Sequence, residues 1–232
     1  MSCPPARSPS SLALAYLAPY ALYVALGALG ELRTHAEWLY AARLVLVGGA
    51  LVWFWREYVP LRGPRPLAGS LALGAAAGLA GAALWVALRA PFAPGDSTPW
   101  SDADWLARAL GSTLLPPFIE ELLFRGWLLR ALLLFERARA SGSKSPLHDA
   151  LDRSSLADVA PGAWSAVAVG VSSAAFALGH LPGEWLAAFA YGALMCALWI
   201  ARGDLVSCIS AHAVTNAALA AWVRASGDWG SW

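Results

Sequence analysis

The chain is short of charge. Only 13% of its 232 residues are Asp, Glu, Lys or Arg, about half the share found in a soluble domain. The signs nearly cancel, to a net +1, so nothing points to nucleic acid or another polyanion as a partner. Cysteine is scarce too, confined to Cys3, Cys196 and Cys208. An odd count with two members in apolar segments argues against a disulfide framework. Cys3 fits no lipidation pattern and reads as an ordinary thiol. Three catalytic signatures are also missing: His-Glu-x-x-His, Gly-x-Ser-Gly and Gly-x-Gly-Asp. The usual sequence marks of zinc, rhomboid-like serine and aspartyl membrane proteases are therefore absent.

What is present is apolar. Hydrophobic residues make up 59% of the chain and 13 residues are Trp; the mean hydropathy is +0.54. This is the composition of an integral membrane protein, with Trp available for the interfaces. The expected fold is all-α, a polytopic bundle of about seven transmembrane helices forming a single integral-membrane domain over residues 1–232. Candidate spans fall near 11–30, 38–56, 67–89, 117–135, 161–180, 184–201 and 204–224. The N-terminal spans cover about 11–89, and a second region, about 105–224, holds the polar motifs. The third span, "LAGSLALGAAAGLAGAALWVAL", is rich in Gly and Ala, which lets helices approach closely in lipid. Residues 105–115 are too short to cross and read as an interfacial or re-entrant helix before Pro116. The polar segment 136–160 reads as a mobile loop with a short helix.

Basic residues set the orientation. Arg7, then Arg56, Arg62 and Arg65, then Arg137, Arg139, Lys144 and Arg153, then Arg202 fall on one side of a seven-pass thread. Asp96, Asp102 and Asp104 fall on the other. The N-terminus is expected in the cytoplasm and the C-terminus outside.

Against this background "PPFIEELLFRGWLLRALLLFE", Pro116 to Glu136, stands out. Pro117 suits the first turn of a helix, which places Glu120 and Glu121 near that helix's positive end. Glu121 and Arg125 are four apart and share a face, so they can pair; Glu120 is left over. One charge at the membrane centre costs about 2.5–3.5 kcal/mol, and three cost roughly 7–10 kcal/mol before pairing. Packing alone does not account for that. Two further polar pieces sit in apolar surroundings. "FALGH" carries Phe176 and His180, and "HAVTN" carries His212 and Asn216 on one helix face. Alone, "FALGH" reads as an interfacial histidine before a turn, and "HAVTN" reads equally well as an interhelical hydrogen-bond pair or as a functional one. Together they need partners, since buried polar groups are costly unpaired. Helix ends place Glu120 and His180 toward the outside and His212 roughly 12 Å from the inside. The groups can meet only if helices tilt or enter partway.

A carboxylate beside a neutral histidine can activate water, and a second histidine with an amide can hold a developing oxyanion. That set suffices to hydrolyse an amide without an acyl-enzyme. The ordered motifs Glu120-Glu121-x-x-x-Arg125, Phe176-x-x-x-His180 and His212-x-x-x-Asn216 resemble the signature of the CAAX-protease and bacteriocin-processing family. These are glutamic intramembrane proteases related to the prenyl-protein endopeptidases of the Rce1 type. The resemblance covers about 97 positions with no departure from the pattern. It implies that Glu120 activates water with help from His180, and that His212 and Asn216 hold the oxyanion. Glu121, Arg125 and Phe176 would then be structural supports. It further implies no cofactor and no metal, a membrane-associated protein or peptide substrate, lipidated or carrying a sorting signal, and a bacterial inner-membrane location among lipid. The N-terminal half, with "YLAPYALYVALGALGE" and "WFWREYVPLR", resembles the subgroup found beside exosortase and PEP-CTERM sorting systems. Other readings stay open on the residues themselves. They are a metal site from Glu120, His180 and His212, a serine nucleophile at Ser172 or Ser173 with His212, and a non-catalytic scaffold or transporter using the same cluster.

Overall fold

The computed structural model describes residues 8–31, 37–92 and 98–229. Cys3, Arg7 and Asp96 lie outside them. Among the described residues the secondary structure is helical, without a strand. The long helices are α1 (Pro9–Glu31), α2 (Glu37–Trp53), α3 (Leu67–Arg89), α9 (Trp185–Arg202) and α10 (Leu205–Ser226). Shorter ones are α4 (Asp102–Leu114), α5 (Pro116–Glu121), α6 (Leu129–Ala140), α7 (Pro146–His148) and α8 (Ala166–Leu178). A π-helical stretch, Leu122–Leu128, joins α5 to α6 without a break. Helices thus occupy all seven positions expected as spans. Four segments are long and apolar enough to cross a membrane: Pro9–Ala28, Leu67–Phe92, Pro182–Arg202 and Leu205–Ser226. Tyr40–Trp53 and Ala166–Leu178 are shorter apolar helices.

The surface is inverted relative to a soluble protein, as a lipid environment demands. Leu14, Val45, Val52, Trp53, Leu79 and Leu178 are exposed, whereas Glu121 and Arg125 are wholly buried. In lipid the packing between helices comes from close contact rather than apolar burial. The Gly-rich face of α3 supplies it. A Cβ on Gly74 would lie 2.6 Å from the Ser207 carbonyl, and one on Gly78 would lie 2.5 Å from the Ala211 carbonyl. Only glycine allows α10 to come this near. The tight turn before α10 is equally local in origin. Gly203 takes a left-handed φ of 68°, and Asp204 then caps α10 by accepting the Ser207 N–H at 2.7 Å.

The contacts sort the connections to two ends. At one end Ser10 donates to Asp152, Leu61 O accepts from Leu205 N, and Gly63 abuts Gly203. The start of α1, the 57–66 link, the 141–163 segment and the α9–α10 turn therefore lie together. At the other end Arg224 pairs with Asp102 at 2.7 Å and Arg89 with Glu184 at 3.2 Å. The described basic connections thus share one end, as alternating passage requires.

The 136–160 segment differs from a loose loop. α6 runs on to Ala140, and α7, a π turn at Asp149–Arg153 and a 3-10 turn at Leu156–Asp158 follow. Ala150, Leu156 and Val159 are buried, and Arg130 donates to the Leu156 carbonyl at 3.2 Å. Three apolar side chains spaced through a polar stretch were enough to fold it back onto the bundle.

Candidate active site

α4 explains how the motifs meet. It runs antiparallel to the second half of α10, with Asp102 beside Arg224, the Trp105 indole N–H on the Ala220 carbonyl at 3.0 Å, and the Asn216 amide on the Ser112 carbonyl at 2.8 Å. The chain then bends at Leu115, where Pro116 removes a backbone donor. α5 therefore begins partway along α10, level with its middle, rather than at the end of the bundle. At 13 residues α8 is roughly 20 Å long, short of the hydrocarbon thickness. His180 at its end is thus held back from the bundle's surface. These two features remove the mismatch in depth read from helix ends alone.

Glu121 lies at the bottom of the site. Its Oε1 accepts from Arg125 Nη1 at 3.2 Å and lies 3.0 Å from His212 Nδ1. Arg125 also donates through Nη2 to the Gly192 carbonyl at 2.8 Å and stacks over the Phe176 ring at 5.0 Å. Glu121, Arg125 and His212 form one buried chain. A carboxylate only accepts hydrogen bonds, so Nδ1 of His212 is the donor and Nε2 is the nitrogen left over. That Nε2 lies 3.9 Å from Glu120 Oε2, too far for a direct hydrogen bond. Glu120 Oε2 is buried and accepts no hydrogen bond from the protein. The π-helical turn directly after the two glutamates carries Arg125, and such turns recur at functional positions because they reset the phase of the helix.

His180 is fixed differently. Its Nδ1 lies 2.9 Å from the Phe176 carbonyl. A carbonyl only accepts, so Nδ1 carries the proton and Nε2 is the acceptor. Its ring rests on Phe176 at 4.8 Å and near Trp85 at 5.4 Å. Phe176, fully buried, also contacts Phe124 and His212. The four-residue spacing of Phe176 and His180 thus makes the phenyl ring the floor beneath both imidazoles.

Glu120, Phe176, His180, His212 and Asn216 all line one cavity of about 240 Å³. Glu121 and Arg125 sit behind it. Ser172 and Ser173 are buried elsewhere: Ser172 donates to the Phe124 carbonyl at 3.1 Å, and Ser173 packs against Gly192. Neither lines the cavity. Among the described residues no three His, Cys, Asp or Glu side chains are grouped to hold a metal ion.

The cavity also holds residues that the motifs did not flag. Trp85, Arg108, Glu184, Tyr191 and Thr215 line it. Tyr191 donates to Thr215 Oγ1 at 3.0 Å, and Thr215 donates to the Gly78 carbonyl at 2.8 Å, tying α9, α10 and α3 together. A lone Tyr within the apolar α9 was the available signal. Arg108 looked like an ordinary charge within a short helix, and Glu184 like one at a helix start.

An all-helical membrane bundle with buried carboxylates and imidazoles around one cavity is the build of an intramembrane hydrolase. Residues 102–218 match the family described as type II CAAX prenyl endopeptidase Rce1-like. The match spans half of the chain, and the chain belongs to this family of CAAX-type intramembrane endopeptidases. No curated protein and no solved structure matches it significantly.

Proposed function

We propose that the chain hydrolyses a peptide bond of a membrane-associated protein by a water that Glu120 and His180 activate. One observation carries the reading: Glu120, His180, His212 and Asn216, drawn from three separate segments, line a single cavity. The 3.9 Å between Glu120 Oε2 and His212 Nε2 suits one bridging water better than direct contact. Glu120 takes a proton from that water as its oxygen attacks the carbonyl carbon. His180 Nε2, an acceptor by its fixed tautomer, supports the transfer. Negative charge then gathers on the former carbonyl oxygen. The second N–H of the Asn216 amide, the first being spent on Ser112, donates to it. His212 donates from Nε2 after that nitrogen takes up a proton from water in the cavity, while Nδ1–H stays on Glu121. The C–N bond breaks as Glu120 returns the proton to the leaving nitrogen. Glu121 and Arg125 do not meet the substrate; they hold His212 in place from behind.

The substrate is a membrane-associated protein or peptide, lipidated or bearing a sorting signal, in a bacterial inner membrane. The N-terminus and the basic end of the bundle face the cytoplasm.

The test uses the detergent-solubilised full chain and a synthetic S-farnesyl peptide of the C-a-a-X pattern. Glu120→Gln and His180→Ala are each expected to abolish cleavage while the protein still inserts and purifies as a single species. In cells, deletion and Glu120→Gln strains should accumulate the same uncleaved membrane protein. Continued processing by Glu120→Gln would remove the carboxylate from the reaction.

A further inference from the structure

We propose that the basic end of the bundle binds the phosphate of an anionic phospholipid, through Arg62 and Arg65 on the link between α2 and α3. The site lies at the far end from the catalytic cavity and does not depend on the proteolytic mechanism.

A cavity of about 220 Å³ opens at this end. It is lined by Arg62 and Arg65 from the link, Leu67 and Ser70 from α3, and Asp204 and Val206 at the start of α10. It shares no lining residue with the catalytic cavity. Both arginines are exposed, and neither forms an ion pair or a side-chain hydrogen bond among the described residues. The carboxylate in the lining is already satisfied. Asp204 is buried; its Oδ1 accepts the Ser207 N–H at 2.7 Å and its Oδ2 accepts the Ser70 hydroxyl at 2.5 Å. Arg202 balances its charge with Nε at 3.9 Å, and is tethered by donating from Nη2 to the Pro66 carbonyl at 2.9 Å. The cavity therefore offers two uncompensated guanidiniums, whose N–H forks match the oxygens of a phosphate.

Exposed arginines in water need no partner, so position selects the ligand. Trp53 and Trp55, just ahead of the link, are both exposed. Exposed Trp at a helix end marks the level of the lipid headgroups. On the other side, Leu67 and Leu71 are exposed one turn apart, leading from the cavity rim along α3 into the apolar zone. Cations at headgroup level above lipid-facing leucines suit one molecule that carries both a phosphate and acyl chains. Free phosphate would use the arginines but leave the leucines bare. A zwitterionic headgroup brings its own cation against the two guanidiniums, whereas a net negative one does not.

Occupancy reaches α10. The Leu61 carbonyl accepts from Leu205 N at 2.9 Å and Val206 N at 3.2 Å, and Gly63 packs on Gly203. A lipid that fastens the link also fastens the start of the helix that carries His212 and Asn216. Binding to the folded chain alone stabilises it by mass action.

The test titrates the detergent-solubilised full chain with dioctanoyl phosphatidylglycerol, dioctanoyl phosphatidylcholine or inorganic phosphate. Retained adducts are read by native mass spectrometry, and the unfolding midpoint by a thermal melt. Phosphatidylglycerol is expected to form a discrete single adduct and to raise the midpoint by several degrees. Phosphatidylcholine should bind at least about 10-fold more weakly, and phosphate at equal concentration should shift nothing. The double variant Arg62→Gln, Arg65→Gln should weaken phosphatidylglycerol about 10-fold or more, with its lipid-free midpoint near wild type. The control Arg139→Gln, Lys144→Gln removes the same charge from the same end but outside the cavity. It should keep the affinity within about twofold of wild type. Equal weakening by both double variants would reduce the effect to net charge and overturn the site. An equal shift with inorganic phosphate, or equal binding of phosphatidylcholine, would overturn the assignment to an anionic lipid.

Discussion

His212 stands on Glu121, its Nδ1 3.0 Å from the carboxylate oxygen, with both side chains buried. The same imidazole presents its other nitrogen to Glu120. Two adjacent glutamates in one helix therefore have separate tasks. Glu121 is the wholly buried counter-charge of Arg125, and Glu120 faces the cavity. Glu121→Gln leaves a buried guanidinium without its partner, and breaking such a pair costs about 3–5 kcal/mol. Glu120→Gln removes no ion pair of that kind. Thermal unfolding in detergent should fall clearly for Glu121→Gln and stay near wild type for Glu120→Gln, although both lose cleavage. Equal destabilisation by the two would refute the division of labour.

The α3–α10 contact sets where His212 sits. A methyl group at Gly78 would already meet the Ala211 carbonyl and the Val214 side chain, at 2.5 and 2.7 Å. Gly78→Val should therefore push α10 away from α3, break the Thr215 bond to the Gly78 carbonyl and shift His212 from Glu120. Overpacking of this sort costs roughly 1–3 kcal/mol. Cleavage should drop at least about 100-fold, since small misplacements of reacting groups are amplified. Gly48→Val is the control, because a Cβ there meets nothing within 4 Å. Comparable loss in both variants would show that any added bulk in the bundle is harmful, not this contact in particular.

How much of this was legible in the residues follows from what each signal encodes. Apolar runs of bilayer length gave the helices, since span length is fixed by membrane thickness. The spacing of Glu121 and Arg125 gave their pairing, because four residues are one helical turn. Nothing local encoded the depth at which α5 begins. That depends on α4 lying along α10, a contact between residues more than a hundred positions apart, such as Trp105 and Ala220. Arg108 was hidden for the same reason: as a charge in a short amphipathic helix it looks solvent-facing until α10 places it over the cavity. The 136–160 segment was legible only as a polar stretch with a short helix, because its buried residues, Ala150, Leu156 and Val159, are too few and too irregular to register as a pattern.

The two serines that could have served as nucleophiles are packing residues. Ser172→Ala and Ser173→Ala should each keep cleavage within about threefold of wild type, and the protein should remain insensitive to serine-directed fluorophosphonates. Incubation with EDTA, followed by buffer exchange, should leave the rate unchanged, because no metal takes part in the proposed steps. Loss in EDTA with recovery on adding zinc would transfer the reaction to a metal centre.

The fold of the 141–158 segment should loosen in acid. Asp152 is tied to α1 by the Ser10 hydroxyl and to its own turn by His148. These bonds hold its carboxyl below the usual value of 3.8, the Ser10 bond first. Asp149 is lowered in the same way, chiefly by Ser143. A depressed carboxyl contributes its tie fully above the ordinary value and loses it as the pH falls through the lowered one. Hydrogen exchange across the segment should stay constant from neutrality down to the ordinary carboxylate range and rise only below it. Ser10→Ala should move the onset for Asp152 upward. An onset already near neutrality would show that neither carboxyl tie holds the segment.

Orientation ties the site to one side of the membrane. Ser10, Leu61, Gly63 and Asp152 share one end of the bundle, and Asp102, Glu184 and Arg224 share the other. The cavity, lined by Arg108, His180 and Glu184, belongs with the second group. If charge bias sets the orientation as proposed, the first end is cytoplasmic and the cavity should be reached from the opposite face. In a variant with the native cysteines replaced, a single cysteine at Ser143 should resist a membrane-impermeant maleimide in intact cells and react once the membrane is opened. One at Asp102 should react in intact cells. The reverse pattern would keep the fold and the site but turn the chain over, which places the cleaved bond on the cytoplasmic side. Mixed labelling at both positions would mean that the basic end does not set the orientation at all.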